Sequence, residues 1–276
     1  NVSFFPLYFI FSDLFYPFGN QDIKNPSEDD GSSPVILLEK PFVYFGRVYR
    51  KTYVNNNGDL TFDGPLSQPK PSNLQSQLNR DIIAPLWTDM DNTVGGTITY
   101  RQVTSGRILL AATNNINQYF PNLNFTASWL FIATWDKVPY YNNLQSSSSY
   151  QVVLVSGGSL SFVRKNENHI SELWNYYRTF NSTNYFSIPV LDENKLFNSS
   201  NVSVSGRWAF RVDGGPQEGN PLTLFDSIQP VCGAVILPQR YTKYEEEDLD
   251  YMYKPCLLQT NMEQYIYESV LMLVRQ

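Results

Sequence analysis

The stretch Arg47-Val-Tyr-Arg-Lys-Thr-Tyr-Val54, followed by Asn55-Asn-Asn-Gly-Asp59 and Leu60-Thr-Phe62, decides the fold class of this chain. Apolar and polar residues alternate through its first part, which is the period of a β-strand with one buried face. Asn-Gly is the strongest short signal for a hairpin turn, because such turns need positive φ angles. The stretch therefore predicts two antiparallel strands joined by a tight turn.

Similar segments recur up to residue 212, each bounded by Gly, Asn, Ser or Pro. One of them, Arg107–Thr113, has two interpretations, since Leu109–Asn117 also fits a short helix. So many short strands predict a mainly β fold, an antiparallel β-sandwich or barrel-like domain with few short helices. The other predicted strands are Val35–Leu38, Phe42–Phe45, Asp81–Trp87, Gly96–Arg101, Ala127–Trp135, Tyr150–Val155, Ser159–Val163 and Arg207–Val212.

The composition excludes some classes of partner. Among 276 residues there are 19 Tyr, 18 Phe and 5 Trp, rings that suit half-buried pleated surfaces. Charged residues make up only 17% and the net charge is -6, so no electrostatic attraction to nucleic acid is expected. No uninterrupted apolar run reaches about 18 residues, and no membrane span is predicted in this chain.

The chain is predicted to divide into three parts. Residues 1–12 are apolar and fit either a signal remnant or an edge strand. Residues 13–215 form the β domain. Residues 216–276 are an acidic linker and an irregular or helical C-terminal tail, in which Met262–Val274 has the spacing of an amphipathic helix.

Glycosylation sequons, rather than the cysteines, favour an extracellular location. The 2 cysteines, Cys232 and Cys256, would close a loop near the C-terminus if paired, a bond worth about 3 kcal/mol on chain-entropy reasoning; two free thiols are the alternative. Asn-X-Ser/Thr sequons, the acceptors for N-linked glycans, occur at Asn1, Asn124, Asn181, Asn198 and Asn201.

Acidic residues offer the candidate binding site. Asp89 and Asp91 follow a predicted strand directly, so alternation would point both carboxylates to one side. Such a pair could hold Ca²⁺ with backbone carbonyls, or act as acid and base on a glycoside. The simplest alternative is that both residues cap a turn. Glu28-Asp-Asp30 leaves the same alternatives open, and calcium is the one cofactor considered.

The supply of catalytic residues is poor. The single histidine, His169, lies in Lys165–Ile170, which resembles a solvated polar turn, and a lone histidine excludes zinc sites built from several histidines. No nucleophile stands in a nucleophile-elbow context, and no phosphate-binding glycine loop occurs. We therefore expect a protein that is not an enzyme.

Several segments together resemble the nidogen-like extracellular domain, and their residues are most similar to those of its alpha-tectorin-like members. They follow the family's order: Leu14-Phe-Tyr-Pro-Phe-Gly19, Asp29-Asp-Gly-Ser-Ser33, Pro41-Phe-Val-Tyr-Phe-Gly46, Tyr53-Val-Asn-Asn-Asn-Gly58, Ile83-Ala-Pro-Leu-Trp-Thr-Asp-Met-Asp91, Thr99-Tyr-Arg101, Ala133-Thr-Trp135, Tyr185-Phe-Ser-Ile-Pro189 and Ser200-Asn-Val-Ser-Val-Ser-Gly-Arg-Trp208.

The resemblance implies a secreted protein or an ectodomain that serves in extracellular-matrix organisation and cell-matrix adhesion, without catalysis. It supplies no active-site residue. Between Trp174 and Tyr185 the chain is shorter than its relatives usually are, which would leave a sheet edge open. The main alternative is a calcium-assisted, lectin-like carbohydrate-binding domain in which Asp89 and Asp91 hold the ion, and a glycosidase comes third. Expected partners are matrix or cell-surface proteins and glycans.

Overall fold

A computed structural model describes residues 14–69, 81–170, 185–187, 200–214 and 272–274. These residues contain one helix, α1 (Arg107–Tyr119). The strands are β1 (Ile23–Lys24), β2 (Ile36–Tyr44), β3 (Arg47–Asn55), β4 (Asp59–Thr61), β5 (Ile82–Ala84), β6 (Thr97–Val103), β7 (Trp129–Tyr140), β8 (Asn143–Gly157), β9 (Leu160–Ile170), β10 (Tyr185–Ser187), β11 (Arg207–Arg211) and β12 (Met272–Val274).

The strands form two antiparallel sheets, so the predicted mainly β fold is confirmed. Sheet one has the order β1-β6-β7-β8-β9-β11, and sheet two has the order β10-β12-β5-β4-β3-β2. The hairpin predicted from the opening stretch forms as expected, because Asn55 pairs with Asp59 and Val54 with Leu60. A second hairpin turn lies at Gly158, whose φ is 60°.

Aromatic side chains fill the space between the sheets. Trp129, Phe131 and Trp135 of β7 belong to the same core as Val54 and Leu60 of sheet two. All five side chains are 0% exposed. Burial of so many large rings supplies the main driving force for this layered arrangement.

The outer face of sheet one is covered as well. Leu130 and Ile132 of β7 pack with Ala112 and Ile116 of α1 in a second core. Because both faces of β7 are buried in its first half, residues 129–133 form a continuous apolar run rather than an alternating pattern. Among the described residues, no helix is both long and apolar enough to cross a membrane.

The strand predicted for Arg107–Thr113 is wrong, and the alternative helix is correct. Ala112, Ile116 and Tyr119 are the buried residues of α1, and their spacing places them on one face. Gly106 precedes the helix with a φ of 88°, a value that favours glycine and marks the break from the preceding chain. An apolar run of this length fits either element until its neighbours are known.

Two further predictions need correction. The polar turn predicted for Lys165–Ile170 is part of β9, and His169 pairs with Ser149 of β8. The amphipathic helix predicted for Met262–Val274 is wrong at its end, because residues 272–274 form β12, which pairs with β5 and β10. The remainder of that segment lies outside the described residues, as do residues 1–12, and the division into three parts remains a prediction.

Two buried arginines hold the start of the described chain against sheet one, a feature that the sequence did not indicate. The Nη2 atoms of Arg164 and Arg207 each donate a hydrogen bond of 3.0 Å to the carbonyl oxygen of Leu14. The Arg164 guanidinium also lies 4.0 Å from the centre of the Tyr16 ring. Burial lowers the pKa of Arg164. These contacts offset part of the cost of burying a cation.

Candidate functional site

The turn between β3 and β4 is buried, although Asn-Asn-Asn-Gly is typical of an exposed turn. The side chains of Asn56 and Asn57 are 0% exposed. Asn56 Nδ2 donates a 2.7 Å hydrogen bond to the carbonyl oxygen of Glu28, and Asn57 Oδ1 accepts one of 2.9 Å from the Met90 amide. The buried asparagine turn, residues 55–59, therefore joins the N-terminal loop to the segment after β5.

Close backbone packing fixes the position of this turn. The Leu86 amide donates to the Gly58 carbonyl at 3.3 Å, and Trp135 Nε1 donates to the Asn56 carbonyl at 3.1 Å. Gly58 has a φ of 92°, and a Cβ added there would lie 1.8 Å from the Leu86 carbonyl oxygen. Only glycine meets both requirements.

The two loops joined by the turn bring three carboxylates together. Carboxylate oxygens of Asp29, Asp30 and Asp89 all lie within 4.8 Å of one another, and these three residues are the acidic cluster. Asn57 positions Asp30, because its Nδ2 donates a 2.6 Å hydrogen bond to Asp30 Oδ1. Asp29 is exposed, and Asp30 and Asp89 are partly exposed.

The end of β7 positions the other side of the cluster. Met90 forms an isolated antiparallel bridge with Tyr140. The Tyr141 amide donates a 2.9 Å hydrogen bond to the Asp89 carbonyl. Tyr141 is 42% exposed, so an aromatic residue accessible to solvent follows directly in the chain. The backbone of Asp89 is thus held by a short extension of sheet one.

The predicted pair of Asp89 and Asp91 is divided between two roles. Asp91 Oδ1 accepts hydrogen bonds from the amide and the hydroxyl of Thr93, at 2.8 Å and 2.5 Å. Asp91 therefore caps a turn, as the simplest alternative proposed, whereas Asp89 joins Asp29 and Asp30. The partners of Asp89 come from the second acidic segment that the sequence offered, Glu28–Asp30.

The electrostatics of the cluster are repulsive. The pKa of Asp29 is raised, first by partial burial and then by the negative charges of Asp30 and Asp91. A cation bound among these oxygens would remove the repulsion. Hard cations such as Ca²⁺ take six to eight oxygen ligands, so backbone carbonyls and water would have to complete the shell.

Two further predicted site residues lie in the described part of the chain, and neither belongs to this cluster. Asn124 is exposed on the loop after α1, and Asn201 lies beside β11, where its side chain is hydrogen bonded. The other predicted sequons and both cysteines, namely Asn1, Asn181, Asn198, Cys232 and Cys256, lie outside the described residues, and their roles remain predictions.

Sequence reasoning missed the residue that organises the site, Asn57. Its environment depends on Asp30 and Met90, which are 27 and 33 positions away in the chain. One feature of the sequence could have indicated it. Three of the segments quoted for the family resemblance contain a polar stretch, and these stretches are Asp29-Asp-Gly31, Asn55–Gly58 and Asp89-Met-Asp91.

Comparison with known proteins agrees with this architecture. The profile of the nidogen-like domain matches residues 50–214. The chain belongs to the nidogen-like domain family. This match covers most of both sheets, from β3 to β11, and includes the buried asparagine turn and Asp89.

The curated relatives are much longer than this chain. Human alpha-tectorin is 37% identical over 235 residues, which cover 73% of this chain and 10% of that protein. Mouse nidogen-1 is 24% identical over 271 residues, with 85% and 21% covered. Dendrite extension defective protein 1 of Caenorhabditis elegans is 24% identical over 216 residues, with 74% and 19% covered. No solved structure matches the chain.

Proposed function

We propose that this chain is a non-catalytic interaction module of the extracellular matrix that contributes to matrix organisation and cell-matrix adhesion. Membership of the nidogen-like family supports this proposal, because the alpha-tectorins and nidogens that it resembles are matrix proteins. It implies a secreted protein or an ectodomain, with matrix or cell-surface proteins and glycans as partners.

One observation indicates which surface of the domain would bind a partner, namely the acidic cluster. The position of the acidic cluster is fixed, because the buried asparagine turn is hydrogen bonded to both loops that carry the three aspartates. The cluster is also accessible, because Asp29 is exposed. Fixed, exposed carboxylates suit recognition of a basic surface, where complementary charge raises the association rate and selects the partner. We therefore infer that a basic matrix component docks at this end of the domain.

The test is retention of the chain on an extracellular-matrix extract. The variant Asp29→Asn/Asp89→Asn removes two charges from the cluster, and Glu39→Gln/Asp63→Asn removes two exposed charges elsewhere as a matched control. We expect at least a tenfold loss of retention for the first variant at low salt and little change for the second. Equal retention of both variants would refute docking at the cluster, provided that neither variant melts below the wild type.

A second candidate is calcium-assisted carbohydrate binding. It is favoured by the approach of three carboxylates to within 4.8 Å, together with the exposed residue Tyr141, whose amide binds the carbonyl of Asp89. Carboxylates would hold the ion and the tyrosine ring would stack on a sugar.

Calcium titration tests this candidate directly. We expect Ca²⁺ to raise the melting temperature of the wild type, and to have no effect on Asp89→Asn. Binding to a glycan array should then require Ca²⁺ and should fall on Tyr141→Ala. A melting temperature that is indifferent to Ca²⁺, with no glycan retained, would eliminate the candidate. Hydrolysis of a glycan that is lost in Asp89→Ala would instead identify a glycosidase.

A further inference from the structure

The sequon at Asn124 is presented to solvent by a rigid loop. Asn124 and Thr126, the two residues that a glycosyltransferase must read, are exposed, whereas Phe125 between them is buried. Asn117 of α1 holds this loop with two bonds, because its Oδ1 accepts from the Phe125 amide and its Nδ2 donates to the Phe125 carbonyl, both at 2.8 Å. The acceptor amide of Asn124 is therefore carried on the outside of a clamped loop.

The same loop is packed against the end of the β8–β9 hairpin. A Cβ added at Gly157 would lie 2.0 Å from the Thr126 carbonyl oxygen and 2.8 Å from the Phe125 ring. This close approach leaves the loop backbone little freedom to move. A glycan attached at Asn124 would therefore project from a fixed point and would disturb no contact of the core.

The sequon at Asn201 is in the opposite situation. Asn201 Nδ2 donates a 2.8 Å hydrogen bond to the Ala209 carbonyl, and Asn201 Oδ1 accepts one of 3.0 Å from the Ala209 amide. The side chain thus pairs with β11 as a neighbouring strand would. Since β11 is the last strand of sheet one, this pairing caps an edge of the sheet.

Glycosylation at Asn201 is incompatible with that cap. Pairing with the amide and the carbonyl of one residue uses the Nδ2 hydrogen that lies on the same side as Oδ1. In a trans glycosylamide the sugar takes the place of that hydrogen. A sugar at Asn201 would therefore displace the bond to Ala209 and leave a backbone carbonyl of the edge strand without its partner.

We propose that Asn124 carries an N-linked glycan, whereas Asn201 stays unmodified in the folded protein and serves as the cap of the β11 edge. The glycan part rests on the proposed extracellular location. The loop of Asn124 precedes the start of β7 and the acidic cluster adjoins its end, so they lie at opposite ends of a strand of 12 residues, which spans at most about 40 Å. The glycan therefore leaves the acidic cluster open to a partner.

Glycopeptide mass spectrometry of the full chain, secreted from mammalian cells with a supplied signal sequence, tests the assignment. We expect a glycan on Asn124 that is absent in Thr126→Ala, and an unmodified Asn201. A bare Asn124, or a modified Asn201 in the secreted folded protein, would overturn the proposal. Because secretion is imposed, neither result bears on matrix binding, which is measured separately.

A pair of variants tests the cap independently of the sugar. Asn201→Ala and Ser203→Ala both destroy the sequon, but only the first removes the amide that pairs with Ala209. We expect Asn201→Ala to lower the melting temperature by about 3 °C or more and Ser203→Ala to leave it unchanged. Equal melting temperatures would refute the cap. If Asn201→Ala is not secreted while Ser203→Ala is, that difference supports it.

Discussion

Replacement of Asn56 by alanine should destabilise the domain more than the same replacement of an exposed asparagine. The side chain is 0% exposed. Its Oδ1 accepts a 2.8 Å hydrogen bond from Asn25 Nδ2. Its Nδ2 has two hydrogens for three acceptors, the carbonyls of Glu28 at 2.7 Å and Pro26 at 3.2 Å, and Asn92 Oδ1 at 3.2 Å.

The expected magnitude follows from these bonds. Three can be made at once, and a net value of about 1 kcal/mol for each gives a loss of about 3 kcal/mol in the free energy of unfolding. In the variant the Glu28 carbonyl loses the shortest of the four side-chain hydrogen bonds of Asn56. Asn25 Nδ2 still has an acceptor, because it also donates to the Val54 carbonyl at 2.8 Å. A domain of this size should melt about 6–12 °C lower.

Urea unfolding followed by tryptophan fluorescence measures the change. Asn20→Ala is the control, because Asn20 is exposed, and it should shift the free energy by less than about 0.5 kcal/mol. The double variant with Asn92→Ala should cost less than the sum of the single variants, since the two residues share a hydrogen bond. An Asn56→Ala variant as stable as Asn20→Ala would refute the view that the buried asparagine turn supports the fold.

Three further predictions concern the asparagine turn, the core between the sheets and the acidic cluster. Gly58→Ala should prevent folding or lower the melting temperature sharply in thermal unfolding, because its Cβ would overlap the Leu86 carbonyl. Trp208→Ala should cost about 3 kcal/mol or more in urea unfolding, since the ring is 2% exposed, and an unchanged stability would show that it is not core. Asp29→Asn should stabilise at pH 7 by about 1 kcal/mol or less, because the raised pKa of Asp29 means that its ionised form opposes folding. That gain should vanish on acidification, as Asp29 becomes protonated in both states below its ordinary pKa of 3.8, and a gain independent of pH would contradict this explanation.

Local sequence was sufficient for most strands of the two sheets and for the hairpin at residues 55–59, but not for the helix α1, the second half of β9 or β12. The segment from Arg107 to Thr113 has an apolar run that fits a strand or a helix equally well. Only the second core, where Ala112 and Ile116 meet Leu130, decides between them. Periodicity reports which residues are buried, and it does not report what buries them.

The acidic cluster shows the same limit over a longer distance. Asp29 and Asp89 were each recognised as candidate ligands, yet their proximity depends on Asn57, which lies between them in the chain. Asparagine in a turn is usually solvated, so its burial here could not be predicted from the turn alone. Such contacts become visible only when the loops that they join are placed in space.

Asn57 is hydrogen bonded to both loops that carry the aspartates, so the negative patch exists only when the domain is folded. An unfolded or cleaved copy of the domain would still contain every aspartate, but it would no longer gather them into one patch. A partner that recognises the patch would thereby discriminate intact molecules from damaged ones.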